Sequence, residues 1–300
     1  MEIQYQATPA DHGQRAVDIL VRRTGMSRLL CKKIRLYGRL LCNGRPHRMI
    51  DPVATGDFLT ASYTPDNRTS DKLKTVPGVD IRYLDEWLLV AAKPAGMVTH
   101  PTYLHEKGSL TDSLADYPLH PVCRLDRDTS GLVLIARNGH AHHVISSHPM
   151  RKRYLALLHG RFPAPAGLIQ ASVRRSQTSI MLREIHPDGA EARTIWQELR
   201  YYPTSDISLV RFELLTGRTH QLRLHSQACG CPMVGDSLYG KSDNSADVWD
   251  RLIGRQALHS ASLQFIHPLT GRPVLVTAPL PDDFRTLLTA IRKAEHKTGI

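Results

Sequence analysis

The 300-residue chain has no apolar run approaching the ~20 residues of a membrane-spanning helix. Its first residues, MEIQYQATPADHGQ, lack the basic start and apolar middle of an export signal. The expected location is the cytoplasm, with no membrane partner. Cysteine is scarce and odd in number: Cys31, Cys42, Cys123, Cys229 and Cys231. An odd count without an export signal argues against a disulfide framework. Cys229-Gly-Cys231 has one spacer residue rather than the two of usual zinc or redox pairs, so both read as structural thiols. No dinucleotide fingerprint, P-loop or internal repeat occurs. The absence of regular strand–helix alternation excludes a doubly wound parallel sheet and favours mixed α+β with antiparallel pairing.

Acids are missing where bases are densest. The net charge is +11, and between His12 and Arg48 ten Lys/Arg stand against the single acid Asp18, a local excess of +9. A localised excess of this kind is the footprint of a polyanion partner. In the same window GQRAVDILVRRTG puts Ala16, Ile19, Leu20 and Val21 on one apolar face and stops at Gly25. Ser27 is the expected N-cap of a second helix, SRLLCKKIRLYG, with Leu29, Leu30, Ile34 and Leu36 turned inward. Arg28, Lys32 and Arg35 share the other face. RLLCNGRP is a strand running into Asn43-Gly44, a type I′ turn signal, and VATGDFLTASY adds a turn and a further strand. Arg28, Lys32, Lys33, Arg35 and Arg39 are the candidate RNA-binding residues. The order Ser-Arg, Gly, Asn-Gly, Gly-Asp resembles the small RNA-binding domain named after ribosomal protein S-four, over about residues 13–62.

The resulting organisation is an RNA-binding unit of helix, helix and hairpin at 1–63, a polar linker at 64–78, and a larger unit at 79–300. In the larger unit WLLVAAKPAG, SGLVLIAR, RYLALLHGRF, SLVRFELLTG and PVLVTAPLP read as strands. AHHVISSH, QLRLHSQACG and PDDFRTLLTAIRKA read as helices.

One segment carries an unusual density of charge. HPVCRLDRDTSGL, residues 120–132, alternates Arg124 and Arg127 with Asp126 and Asp128, directly before an apolar run. In extended geometry Arg124 and Asp126 share a face, with Leu125 anchored below. An adjacent cation favours the ionised carboxylate even where water is excluded. Such an aspartate can act as nucleophile or base. Taken alone, such a string is more often a surface ion-pair network than a site.

VAAKPAGMVTHP (90–101), HPVCRLDRDTSGL (120–132), KRYLALLHG (152–160) and TGRTHQLRLHSQACGCPMVGDSLYG (216–240) follow one another in that order. Together they resemble the RluA-type family of pseudouridine synthases, over most of residues 81–280. The resemblance implies a mixed α+β domain with a central antiparallel sheet and a cleft across it. It also implies a cofactor-free isomerisation, in which the bond from ribose to uracil N1 breaks, the ring turns and ribose bonds to C5. By the resemblance, Asp126 is the essential aspartate of the R-L-D-R-x-T-S-G motif. Arg124 helps displace the target base, Tyr154 packs on the flipped uracil, and Arg223 pairs with the aspartate, with Arg218 five residues earlier as the rival. Cys123 and Cys231 stand where the family usually has histidine.

The implied substrate is structured RNA, with ribosomal RNA ahead of transfer RNA. A non-catalytic RNA-binding or ribosome-assembly protein on the same scaffold is the alternative. Other motif matches are weaker. Asp128-Thr-Ser-Gly lacks the spacing and second copy of an aspartic protease. GDSL at 235–238 would make Ser237 a nucleophile, but no Asp-x-x-His follows it. His140, His142, His143 and His148 lack the spacing and the nearby carboxylates of a metal site. No metal and no cofactor are expected.

Overall fold

The computed structural model describes residues 2–63, 72–103, 105–179, 181–240, 247–268 and 270–297. Most of the expected linker, residues 64–71 of 64–78, lies outside the described residues.

The chain opens on a strand, β1 (Glu2–Gln6), where the sequence pattern puts a helix first. Helices α1 (Ala16–Thr24) and α2 (Arg28–Tyr37) follow, then β2 (Arg39–Cys42), β3 (Arg45–Pro46) and β4 (Phe58–Ser62). These strands form one antiparallel sheet in the order β1-β4-β2-β3. The first strand, EIQYQ, buries only Ile3 fully, so its apolar signal is weak. Its pairing with Leu59 and Ala61 spans more than fifty residues of chain. Gly25 ends α1 in the left-handed region (φ 67°). Ser27 Oγ accepts from Leu30 N (3.1 Å) and caps α2. Asn43 and Gly44 both take positive φ, 49° and 78°, as a type I′ turn requires.

The expected inward face of α2 needs correction. Cys31 and Ile34 are buried, whereas Leu29 and Leu36 are 65% and 53% exposed. Each exposed leucine lies two residues from a buried one, about 200° round the helix.

The rest of the chain forms strands β5 (Asp80–Leu84), β6 (Leu88–Lys93), β7 (His120–Pro121), β8 (Ser130–Ala136), β9 (Met150–His159) and β10 (Ala166–Gln170). It continues with β11 (Val173–Arg175), β12 (Arg183–Ile185), β13 (Arg193–Tyr202), β14 (Ile207–Leu214), β15 (Leu258–Ile266) and β16 (Pro273–Thr277). The helices are α3 (Leu110–Leu114), α4 (Gly139–Ser146), α5 (Gln221–Ala228), α6 (Val248–Ile253) and α7 (Asp282–Lys297). A ten-stranded mixed sheet runs β10-β13-β14-β9-β15-β8-β6-β5, with β16 beside β15 and β7 beside β8. Its pairings are antiparallel except β15 with β8, which meet in parallel at Ser130–Gly131 against His259–Ser260. Gly131 is required at that seam: its φ is 112°, and a Cβ there would lie 2.3 Å from Ser260 O.

Strands β6 and β8 read as continuous apolar runs because both faces of the sheet are covered. Alternate residues enter opposite cores. Leu88, Val90, Leu132 and Leu134 join an apolar cluster with Ile19, Leu20, Ile34 and Leu59 of the N-terminal elements. Leu89, Ala91, Val133 and Ile135 join a second cluster with Leu110, Leu114, Tyr154 and Leu222. The N-terminal elements therefore back the sheet, and Gly25 sits close enough to α4 that a Cβ would meet Val144 Cγ2 at 3.0 Å. The opposite face is left for a cleft.

Within the N-terminal elements the buried Asp11 is a polar anchor. It accepts from Thr8 Oγ1 (2.6 Å), Thr8 N (3.0 Å) and Tyr5 OH (2.7 Å), and pairs with Arg23 Nε (2.9 Å). The Thr8 hydroxyl foremost, against the cost of burial, holds this carboxyl well below the usual carboxylate range. A depressed folded-state pKa gives stability that is present above the unfolded value, near 4, and is lost as pH falls below it. Asp11→Asn is expected to lower the melting temperature at pH 7 by a few degrees. It should also flatten the decline of melting temperature between pH 5 and pH 3, measured by calorimetry.

Candidate active site

The charged segment divides into two halves. Arg127 and Asp128 pair with each other in a forked surface contact (Nε···Oδ1 3.0 Å, Nη2···Oδ2 3.1 Å). Leu125 is buried while Arg124 is exposed, the alternation expected of extended chain. Asp126 is turned into a cleft instead of toward its sequence neighbours. Its partner is remote: Arg223 Nη1 lies 3.4 Å from Asp126 Oδ2. Arg223, not Arg218, makes this contact; Arg218 Nε donates to Glu191 O (3.0 Å) at the rim.

The segment is held by four side chains from other elements. Thr99 Oγ1 accepts from Leu125 N and donates to Leu125 O, both at 3.1 Å. Lys93, at the end of β6 and only 1% exposed, donates to Pro94 O (2.8 Å), Met97 O (2.7 Å) and Arg127 O (2.9 Å). Burial pushes its ammonium down to about 7, with Asp128 and Asp126 opposing the shift. Arg255 Nη1 donates to Asp128 O (3.1 Å), and Gln256 Nε2 to Thr129 Oγ1 (3.1 Å). Leu125, Arg127, Asp128 and Thr129 are thus each gripped at close range from outside the segment, while Asp126 has the single longer contact to Arg223. The carboxylate of Asp126 faces open space.

Arg223 is fixed in turn. On α5, it donates from Nε to Asp236 Oδ2 (2.7 Å) and from Nη2 to Asp236 Oδ1 (2.6 Å). Asp236 is fully buried and also accepts from Leu238 N (2.9 Å) and Tyr239 N (3.0 Å). The Arg223 guanidinium lies 5.0 Å over the Tyr239 ring. This two-point grip consumes one edge of the fork and directs Nη1 at Asp126. Ser237, beside it in GDSL, is an exposed turn residue.

Tyr154 is 5% exposed on β9, and burial raises its phenol, so the ring stays neutral. Asp126, Tyr154, His220 and Arg223 line a chamber of about 50 Å³. It adjoins a cleft of about 420 Å³ whose walls include His100, Arg124, Arg127, Lys152 and Arg218. The cleft is cationic at its mouth, with one carboxylate and one phenol ring at its floor. Cys123 lines the same wall and accepts from Leu134 N through Sγ (3.3 Å). Cys231 is buried and donates to Arg161 O (3.3 Å). All five cysteines are free.

Arg28, Lys32, Lys33, Arg35 and Arg39 lie far from Asp126 in sequence, and all are exposed on α2 and at the start of β2. None pairs with an acid among the described residues, whereas Arg15, Arg23 and Arg48 of the same basic window pair with Asp18, Asp11 and Asp51. Of the four histidines considered for a metal, His140 packs on Trp87, His142 on His120, and His148 Nδ1 bonds Val144 O. Sequence reasoning missed Lys93, Asp236, His220 and Tyr239. All four lie inside the quoted motifs, but no spacing announces that residues 13 apart share a guanidinium.

A family model described as RNA pseudouridylate synthase matches residues 87–228, the stretch carrying this cleft. A Bacillus subtilis protein, the uncharacterized RNA pseudouridine synthase YjbO, is 36% identical over 88% of this chain and 95% of its own length. The chain belongs to the RNA pseudouridine synthase family. It is accordingly an isomerase that acts on RNA. Within the family it is also similar to the ribosomal large subunit pseudouridine synthase D of Xylella fastidiosa, at 34% identity over 85% of this chain and 82% of that protein. Among solved structures, human RNA pseudouridylate synthase domain containing 1 aligns over 73% of this chain and 96% of its own, at 25% identity and a TM-score of 0.54.

Because Asp236 neutralises a nearly buried guanidinium, removing one partner leaves an uncompensated charge. Asp236→Ala is expected to destabilise the protein by about 3–5 kcal/mol in urea unfolding.

Proposed function

We propose that this enzyme converts uridine to pseudouridine in ribosomal RNA by drawing the target base out of its stack into the cleft. The reading rests above all on one observation. An aspartate in an otherwise clamped segment faces open space beside a buried, neutral tyrosine ring and a guanidinium anchored by a second carboxylate. The reacting atoms, C1′ of ribose and N1 and C5 of uracil, are out of reach in a stacked strand. Flipping the nucleotide costs a few kcal/mol. Stacking on an aromatic ring returns ~1–3 kcal/mol per base, and Tyr154 is the ring at the chamber wall. Arg124, exposed at the cleft wall, can fill the vacated space in the RNA.

Asp126 is the group that reacts at the sugar, either by attack on C1′ or by taking the C2′ proton to form a glycal. Arg223 keeps its carboxylate oriented while the base shuts out water. The ring then turns and C5 bonds to C1′, with the proton on C5 released. A proton gained at N1, whose bond to C1′ has broken, matches the one lost from C5, and Asp126 is regenerated, so the product is an isomer and no redox partner or group donor is needed.

Ribosomal RNA is proposed over transfer RNA from the name of the Xylella relative and from a second basic surface on the same chain. Residues 1–63 are proposed as an S-four-like RNA-binding domain, with Arg28, Lys32, Lys33, Arg35 and Arg39 touching phosphates. The cytoplasm, where such RNA is made and modified, is the proposed location. A purely RNA-binding role would leave the convergence of Asp126, Tyr154 and Arg223 without a use.

Asp126→Asn and Asp126→Ala are expected to abolish tritium release from carbon-5-labelled uridine in RNA while RNA binding persists. Undiminished release by either variant would remove Asp126 from its role. Comparing pseudouridine positions in ribosomal and transfer RNA from cells with and without the gene tests the substrate. Deleting residues 1–63 would uncover Leu88, Val90 and their cluster, so the basic surface is better tested by charge. Replacing Arg28, Lys32, Lys33 and Arg35 with glutamine is expected to weaken binding. It should reduce the slope of log K against log salt by ~0.7–0.9 for each phosphate that is no longer neutralised.

A further inference from the structure

Beside Asp126 stands an imidazole for which the reaction scheme above has no task. His220 immediately precedes α5, with φ 58° and ψ 16°, in the left-handed region that a non-glycine residue seldom occupies. Such a conformation persists where the surroundings hold it, and often where function needs it. Its Nε2 is 3.9 Å from Asp126 Oδ2, the same oxygen that Arg223 Nη1 approaches at 3.4 Å. Two nitrogens from one short stretch of chain thus converge on one carboxylate oxygen.

A hydrogen-bond chain assigns the proton. The backbone N–H of Arg183 donates to Tyr239 OH (2.8 Å), so that oxygen is an acceptor there. Among the described residues His220 Nδ1 (2.9 Å) is the acceptor within reach of the buried phenol, so the phenol's own hydrogen goes there. With Nδ1 accepting, the ring hydrogen sits on Nε2, pointing at Asp126. Burial keeps this imidazole below its ordinary pKa; Asp126 opposes the shift, Arg223 and Arg183 add to it, and Asp236 opposes it. The ring is a neutral donor. That distinction has a chemical consequence. A second cation against Asp126 would lower its basicity and nucleophilicity, whereas a neutral N–H orients the carboxylate at smaller cost to both.

We propose that His220 is a positioning residue for the isomerisation. Its Nε2–H joins Arg223 in holding Asp126 Oδ2, so that Oδ1 is the oxygen presented to the ribose. The inference rests on Asp126 being the reacting carboxylate. Both contacts are long, and a shift of the carboxylate of about 1 Å toward the two nitrogens shortens both to hydrogen-bond length. Binding of the nucleotide, which excludes water from the chamber, supplies the reason for that shift. Tyr239 acts one step further back by selecting the tautomer.

The test exploits amide geometry. Glutamine at 220 can carry an N–H where Nε2 stands, while asparagine mimics Nδ1 and falls short of Asp126. The probe is carbon-5-tritiated total RNA from cells lacking the gene. Single-turnover rates over a range of enzyme concentrations separate the maximal rate from half-saturation. His220→Asn is expected to cut the maximal rate ~10–100-fold with half-saturation unchanged, and His220→Gln to recover most of it. Tyr239→Phe should slow the same step by a smaller factor. A wild-type rate for His220→Asn or Tyr239→Phe overturns the proposal. Equal slowing by glutamine and asparagine, or an effect confined to half-saturation, overturns it as well. Asp126→Asn run in parallel separates the two levels. If it releases tritium, the catalytic reading itself falls. If it is silent while His220→Asn is fast, only the role of His220 falls.

Discussion

One guanidinium is shared between two carboxylates of different character. Arg223 is clasped at two points by Asp236, which is fully buried and also ties the backbone at residues 238 and 239. It touches Asp126 with only the remaining nitrogen, at 3.4 Å. The first contact fixes where the arginine stands; the second leaves one nitrogen directed at Asp126. A guanidinium in a protein interior costs several kcal/mol to desolvate unless its partners are well placed. Asp236 meets most of that cost. Asp126 therefore need not be pulled fully into the pair, and Arg223 reaches only its Oδ2. Had Arg223 faced Asp126 alone, the tightest arrangement would have been a closed bidentate pair with neither oxygen free.

The same division between holding and reacting recurs around the Asp126 segment. Lys93, Thr99, Arg255 and Gln256 grip residues on either side of the aspartate. They do so largely through backbone carbonyls, so the grip depends on chain path more than on neighbouring side-chain identity. Gly131 lets the chain leave this turn and enter the sheet at the one parallel seam, against Ser260, where no side chain fits. The seam puts the N-terminal ends of β8 and β15 together, which brings the loops carrying Asp126 and Arg255 to the same end of the sheet.

The N-terminal elements serve this arrangement from behind. They close an apolar cluster on the face of β6 and β8 opposite the cleft, while the cations of α2, unpaired with any acid among the described residues, are exposed. The run of ten basic residues visible in the sequence is smaller in effect than in number, because Arg15, Arg23 and Arg48 pair with local acids. Among the described residues the other seven, Arg22 on α1, Arg28, Lys32, Lys33 and Arg35 on α2, Arg39 on β2 and Arg45 on β3, make no ion pair with an acid, and the α2 group is adjacent to Leu29, Leu36 and Tyr37, all exposed.

Much of this was legible in one dimension because it is local. The cap at Ser27, the stop at Gly25, the Asn43-Gly44 turn and the long apolar strands each depend on interactions within a few residues. The order of four motifs pointed to the family, and Asp126, Arg124, Tyr154 and Arg223 became candidates by that resemblance. Periodicity misjudged Leu29 and Leu36, since it finds an apolar face without knowing which part of it a neighbour covers. It passed over β1, whose partner lies more than fifty residues away. Residue order alone reveals which chemistry-bearing side chains exist and which turns and strands carry them. Folding in three dimensions settles Arg223 over its rival Arg218 as the aspartate's partner, and selects the second carboxylate that holds it and the imidazole nitrogen that turns toward the aspartate. Those choices rest on distances of 2.6–3.9 Å between groups up to 97 positions apart, which no spacing rule encodes.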